Sequence, residues 1–422
     1  PDHDFTRVIR EDPARPGLLY AGTESGAYVS LDDGASWQSL KGNLPAVSIY
    51  DLKVKDSDLV AASHGRSFWV LDDLTPLRQF TGEIKRNTVH LFAPRPTYRM
   101  LPQVGAIPGG GPGKSYAVSL LGVPGTSVLK KTPQGRRKRF FLDAGQNPPG
   151  GVIVAYHLAQ KPEDEVTLTF LDSQGQLIKK FSSKKDDDEE EQEKFWEPKA
   201  PTQAGMNRFV WNMRYPGPER IPGDDTAKKK TGSPSAAPLA PPGTYRVELS
   251  VGGQTYAQSF ETRKDPRSSA TQEDLDEQFT LLLKIRDRLS ETHEAVGKIR
   301  GLRQQIEQWE SRAGGHPEFG AVSEAAEKLH ERLSAIEDEL IQVIPARDTP
   351  GNPPVRLSDK LMALPAVVSS TDARPTRGSY DVFDDLSARV ESRLQRLQDV
   401  IDTDLSDFLD LIRRLDIPPI AP

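Results

Sequence analysis

The sequence contains no cysteine among its 422 residues. That absence excludes disulfide bonds, thiolate nucleophiles and cysteine-ligated zinc, although it does not settle the cellular compartment. Apolar runs of the roughly 20 residues that a membrane-spanning helix needs are also missing, so we expect no membrane span. The excess of positive charge that nucleic-acid binding needs is lacking too, because 61 acidic residues stand against 55 basic ones and the net charge is −6. Nucleic acid is therefore not expected as a partner.

Metal and phosphate sites lack a matching motif in this sequence. The histidines beyond the first 70 residues are scattered and have no i, i+4 spacing of a helix-borne zinc site. They are His90, His157, His293, His316 and His330. The glycine-rich stretch 109–114 lacks the Walker spacing and has a proline where an N–H donor would be needed. We therefore expect neither a metal nor a cofactor.

The first 100 residues contain a repeat of short strands. Residues 5–40 have the size of one blade of a β-propeller, and residues 49–74 repeat the plan at a period of about 40 residues. A closed propeller needs roughly 4–8 blades. The chain holds fewer than two, so the missing blades are expected from an upstream segment or a second chain.

The middle of the chain changes composition twice. Residues 101–140 are rich in proline and glycine, which favours an exposed connector. Residues 141–265 contain strands with alternating apolar residues, which are typical of a small antiparallel β-sandwich. The stretches 184–194 and 216–242 are charged or rich in proline, serine and lysine, so we expect both to be mobile inserts in that sandwich.

The last part of the chain, residues 271–416, has the periodicity of amphipathic helices. Thr271 and Asp274 have the spacing of a capping box at the first helix start. Three long helices with apolar stripes predict an α-helical bundle, and a homodimer through these helices stays open. The predicted fold class is therefore multidomain and mixed β and α: terminal propeller blades, an antiparallel β-sandwich, for which a resemblance given below implies an Ig-like fold, and a helical bundle.

One segment of the first repeat matches the Asp-box pattern Ser-x-Asp-x-Gly-x-Ser/Thr-Trp at each defined position. Its matching residues are Ser30, Asp32, Gly34, Ser36 and Trp37. The pattern predicts a β-hairpin turn in which the aspartate accepts backbone N–H bonds, the glycine takes a positive φ and the tryptophan packs beneath the loop. The motif is structural first, and a ligand-binding role is the alternative.

The second repeat lacks this box and resembles the final blade of bacterial sortilin-type, BNR-repeat (Asp-box) propeller proteins, which are often described as glycosyl hydrolases. The residues that carry the resemblance are 63–77, and it continues through 91–96, 147–151 and the helical tail. Residues 204–211 and 242–245 are similar to the Ig-like domain of flagellar hook-capping proteins. The resemblance covers nearly the whole chain, but fold does not fix function.

Asp-box relatives include sialidases, xyloglucanases, peptide-binding sorting receptors and a photosystem assembly factor. A sialidase site needs an arginine triad and a tyrosine nucleophile from several blades. A xyloglucanase site needs two carboxylates roughly 5–10 Å apart. Most of the blades that would supply these groups are absent, so whether the full-length protein is an enzyme stays open.

The second repeat contains the candidate binding residues His64, Arg66, Asp72 and Asp73. The imidazole could face a central channel, and the guanidinium could hold a carboxylate or a sugar hydroxyl. The alternatives are an ion pair between Arg66 and Asp72 that fastens the last blade, and a turn in which one of the carboxylates caps backbone amides.

These observations favour a non-catalytic accessory and interaction region of a secreted or periplasmic propeller protein that binds a glycan or peptide. Any targeting segment is expected upstream, because the chain starts at Pro1 without a signal sequence. A glycoside hydrolase, sialidase- or xyloglucanase-like, with carboxylates on upstream blades is the alternative. Peptide capture inside the propeller is a third hypothesis.

Overall fold

The chain divides into two compact units of mixed β and α structure. In this computed structural model the described residues are 4–100, 114–118, 124–131, 137–141, 148–184, 198–221, 237–342 and 354–417. The first unit comprises Pro1–Met213 and Pro242–Asp265, and the second comprises Arg214–Pro241 and Pro266–Pro422. The predicted mobile inserts fall largely outside the described residues.

The first unit is built from short strands. Their bounds are β1 Thr6–Glu11, β2 Leu19–Thr23, β3 Ala27–Ser30, β4 Gln38–Ser39, β5 Ile49–Lys55, β6 Asp58–Ser63, β7 Phe68–Leu71, β8 Val89–Leu91, β9 Thr97–Arg99, β10 Lys114–Val118, β11 Pro124–Lys131, β12 Arg137–Phe141, β13 Val152–Leu158, β14 Thr167–Leu171, β15 Leu177–Ser182, β16 Gly205–Trp211, β17 Gly243–Val251 and β18 Gln254–Lys264. A short helix α1, Thr75–Gln79, and a 3₁₀ turn, Ile84–Arg86, lie between β7 and β8.

The two sequence repeats form two antiparallel sheets, with strand orders β1-β2-β3-β4 and β5-β6-β7. Tyr20 and Val29 of the first sheet and Leu52 and Leu59 of the second belong to one buried apolar cluster. Burial of such side chains stabilises the fold by about 25 cal/mol for each Å² of apolar area removed from water. The two sheets are therefore held together by a shared hydrophobic core.

Later strands form two more sheets, with orders β16-β13-β8 and β15-β14-β17-β18-β9. The ring of Trp211, which is fully buried, stacks on Phe170 with the centroids 4.7 Å apart. Strand β8 pairs antiparallel with β13, and β9 pairs parallel with β18. Strands β8 and β9 belong to the first 100 residues, yet both pair with strands that follow residue 150. The edges of those later strands have backbone N–H and C=O groups that need hydrogen-bond partners.

The stretch 101–140, for which the sequence predicts an irregular connector, contains strands. The described parts, β10, β11 and β12, form an antiparallel sheet in that order. Valine, threonine and phenylalanine, which favour strands, lie between the glycine and proline residues on which the prediction was based. The glycine and proline content therefore hid the strands of this stretch.

The second unit is helical. Its helices are α2 Gln272–Ala313, α3 Phe319–Leu340, α4 Leu357–Val368, α5 Arg377–Val400 and α6 Ser406–Arg414, with a π segment Ile401–Leu405 between the last two. The predicted capping box at the start of α2 is confirmed, because Thr271 accepts from the backbone of Asp274 and the aspartate accepts in return. One large apolar cluster is drawn from these helices, including Ile285, Leu333 and Val390. Among the described helices, none is long and apolar enough to cross a membrane.

Candidate functional site

The Asp-box segment forms a tight turn between β3 and β4. The Asp32 carboxylate accepts from the backbone N–H of Ser36 at 2.8 Å and from the hydroxyls of Ser30 and Ser36. These bonds hold the pKa of Asp32 below its ordinary value. Gly34 has a φ of 88°, as the motif predicts, whereas Trp37, which the motif predicts beneath the loop, is 38% exposed. All of the carboxylate's protein contacts stabilise the turn.

A buried ion pair joins helix α1 to the first sheet. Arg78 Nε lies 3.0 Å from both oxygens of Asp12, whose side chain is fully buried. The same carboxylate accepts from the Tyr20 hydroxyl at 3.0 Å and from the backbone N–H of Ala14 at 2.8 Å. Burial and the neighbouring aspartate raise the pKa of Tyr20. Helix α1, which follows the second repeat, is thus fastened to the first repeat by an ion pair.

The structure places the two basic candidate residues in an exposed loop between β6 and β7. Arg66 forms no ion pair with any described residue, and its carbonyl oxygen accepts from the indole N–H of Trp69 at 2.9 Å. The proposed Arg66–Asp72 fastening is therefore not formed among the described residues. His64 stacks on Tyr50, with ring centroids 4.9 Å apart and an interplanar angle of 25°.

This stack is part of a longer surface feature, which we call the aromatic row: Phe5, Arg7, Tyr50 and His64. The guanidinium carbon of Arg7 lies 4.1 Å from the ring centroid of Tyr50 and 4.8 Å from that of Phe5. Phe5 is 60% exposed and Tyr50 47% exposed. Glu24 forms an ion pair with Arg7, so the positive charge in the row is compensated. Arg7 and His64 both stack on the ring of Tyr50, and Phe5 is more exposed than Tyr50.

The two acidic candidate residues have different surroundings. Asp73 accepts from the backbone N–H of Thr75 at 3.1 Å, so its carboxylate closes a turn just before α1, whose N-cap is Leu74. Asp72 is half-buried, and the pairing of Leu59 with Leu71 puts Asp58 and Asp72 at the same end of the β6–β7 pair. Burial first and the charge of Asp58 second raise the pKa of Asp72 above its ordinary 3.8.

Arginines partly compensate this acidic pair. Arg95 Nη1 donates to Asp58 Oδ1 at 3.0 Å, and the positive charges of Arg208 and Arg95 oppose the rise in the pKa of Asp72. The N–H of Asp73 donates to the same Asp58 oxygen at 2.9 Å. Asp58 is thus well bonded, whereas Asp72 is the carboxylate whose neutral form the surroundings favour.

Two histidines that are scattered in the sequence meet in the fold. His90 of β8 and His157 of β13 are register partners on neighbouring strands. His90 packs edge-on against Phe92 at 4.6 Å, and His157 packs edge-on against Phe80 at 6.4 Å. Burial and the neighbouring His157 lower the pKa of His90. Sequence spacing could not find this pair, because 67 residues separate the two positions and only strand register joins them.

Within the part of the chain that the structure describes, there is no cluster of three or more histidine and acidic side chains arranged to hold a metal. Comparison with protein-family models found no match for this chain, and comparison with the curated proteins also found none. The candidate sites are therefore the aromatic row, the Asp58–Asp72 pair and the His90–His157 pair, each of which rests on its own geometry.

Proposed function

We propose that this chain is the non-catalytic C-terminal accessory and interaction region of a secreted or periplasmic Asp-box propeller protein. In this proposal the first two sheets are its last blades, β8, β9 and β13 to β18 form an Ig-like sandwich, and the second unit is a helical bundle. The Asp-box turn, the resemblance of residues 63–77 and the shared core of the two sheets support it. The ligand of the propeller is a glycan in this proposal.

The observation that carries the glycan assignment is the aromatic row. Sugar rings present flat faces of C–H bonds, which stack on exposed aromatic side chains, and hydroxyls, which need adjacent donors and acceptors. Phe5 supplies an exposed ring face, and Tyr50 holds Arg7 beside it. Glu24 and Ser48, joined by a 2.6 Å hydrogen bond, supply polar groups near Arg7. Because Glu24 compensates Arg7, the row suits a neutral sugar better than an anionic one.

A glycan-binding screen with the full chain tests this proposal. Phe5→Ala should weaken the binding of a neutral oligosaccharide by more than about tenfold, which corresponds to about 1.4 kcal/mol. Tyr98→Ala is the matched control, because Tyr98 is 49% exposed and lies on β9 outside the row. Binding of a peptide in place of any glycan would support the sorting-receptor hypothesis instead.

The Asp58–Asp72 pair favours a second candidate function, a glycoside hydrolase. A carboxyl group whose pKa is raised by burial and by a neighbouring carboxylate can act as a general acid. Asp72 has this environment. Turnover of a polysaccharide that is lost in Asp72→Asn and retained in Asp73→Asn would establish the hydrolase and overturn the non-catalytic role.

A further inference from the structure

The three-stranded sheet β16-β13-β8 carries, side by side, three side chains of types that can ligate a metal. His157 on the central strand is the register partner of His90 on one side and of Met206 on the other. Directly opposed residues on antiparallel strands point to the same face of the sheet. Since neighbouring strands lie about 4.8 Å apart, the three side chains stand within about 10 Å of one another.

The contacts of the two imidazoles, those of His90 and His157, suit metal ligation. Nδ1 of His157 is buried and has no hydrogen-bond partner among the described residues, which is uncommon for a buried polar atom. Phe92 and Phe80 hold the two rings by edge-on contacts.

The thioether of Met206 determines which metal fits this site. Met206 is 49% exposed, so its thioether is accessible at the outer strand. Thioether sulfur is a soft ligand that selects copper(I), and imidazole also binds copper. Arg208 opposes Ala155, two residues from His157 on the same face, and its positive charge disfavours a divalent ion more than a monovalent one.

We propose that His90, His157 and Met206 form a copper(I) site on the sheet β16-β13-β8. The two imidazoles and the thioether bind the ion as a three-coordinate ligand set. The proposal concerns metal binding alone and does not depend on the glycan-binding role of the aromatic row.

Anaerobic titration of the full chain with copper(I), in competition with the chromophoric chelator bicinchoninate, tests the site. We expect one equivalent to be withdrawn from the chelator. His90→Gln, His157→Gln and Met206→Leu should each weaken binding by more than about tenfold. Met100→Leu is the matched control, because Met100 is also 49% exposed and is not one of the three proposed ligands. His64→Gln is a second control, since an exposed imidazole outside the ligand set can bind copper by itself.

Circular dichroism of each variant separates loss of the site from loss of the fold. His90 and Met206 lie on the two outer strands, so their variants carry the test if His157→Gln unfolds. The proposal is overturned if the wild-type chain withdraws no more copper than a variant with all three substitutions. It is also overturned if Met206→Leu binds copper as tightly as Met100→Leu, or if zinc binds more tightly than copper(I).

Discussion

Replacement of Arg78 by leucine removes the cation that compensates the buried Asp12. The Asp12 side chain is fully buried and that of Arg78 is 16% exposed, so water cannot replace the guanidinium freely. Leaving a buried charge unpaired costs about 3–5 kcal/mol. Because Asp12 keeps its bonds to the Tyr20 hydroxyl and the Ala14 N–H, we expect a loss near the lower end, about 3 kcal/mol.

Scanning calorimetry of the full chain measures this loss. A unit of this size shifts its melting temperature by about 2–4 °C per kcal/mol, so the transition of the first unit should fall by about 6–12 °C. Arg10→Leu is the control: Arg10 pairs with Asp51 at 2.6 Å, but both side chains are exposed, and such pairs contribute at most about 1 kcal/mol. If Arg78→Leu costs no more than Arg10→Leu, Asp12 and Arg78 do not fasten α1 to the first sheet.

Two further predictions concern single side chains. The folded-state pKa of Asp72 lies above its unfolded value of 3.8, so its stabilising contribution is present below about pH 3.8 and is lost as the pH rises through the folded pKa. Asp72→Asn should therefore raise the urea midpoint at pH 7 and leave it unchanged at pH 3; a lower midpoint at pH 7 would contradict this reasoning. Gly34→Ala forces a φ of 88° on an alanine and should cost about 1–2 kcal/mol in urea unfolding. Gly82→Ala, where φ is not in this range and nothing lies within 4 Å, should leave stability nearly unchanged, and equal effects at the two glycines would refute the strain argument.

Some features of the fold could be predicted because they depend on local chemistry. The Asp-box turn needs only a short aspartate and a glycine at fixed spacing, and the capping box needs only Thr271 and Asp274. The strands β10 to β12 were missed because glycine and proline dominate the composition around them. Helix α4 was missed as well, since it is short and contains Pro365.

The candidate sites likewise contain some residues that the sequence predicts and others that it does not. The sequence predicted His64 as a binding residue. Tyr50, Phe5 and Arg7 lie near it only because tertiary packing puts strand β1 of the first sheet next to strand β5 of the second. In the same way, the turn of Asp73 could be expected from its neighbours, whereas the raised pKa of Asp72 comes from burial and from Asp58, 14 residues away.

The sequence by itself determined the periodicities, the turns, the helix caps and the absence of cysteine chemistry, because each depends on residues close together in the chain. Tertiary structure decided which distant residues meet. The pairing of β8 with β13 and of β13 with β16 brings His90, His157 and Met206 to one face. Strand register depends on the burial of whole sheet faces, and a shift by one residue would turn each of these side chains to the opposite side.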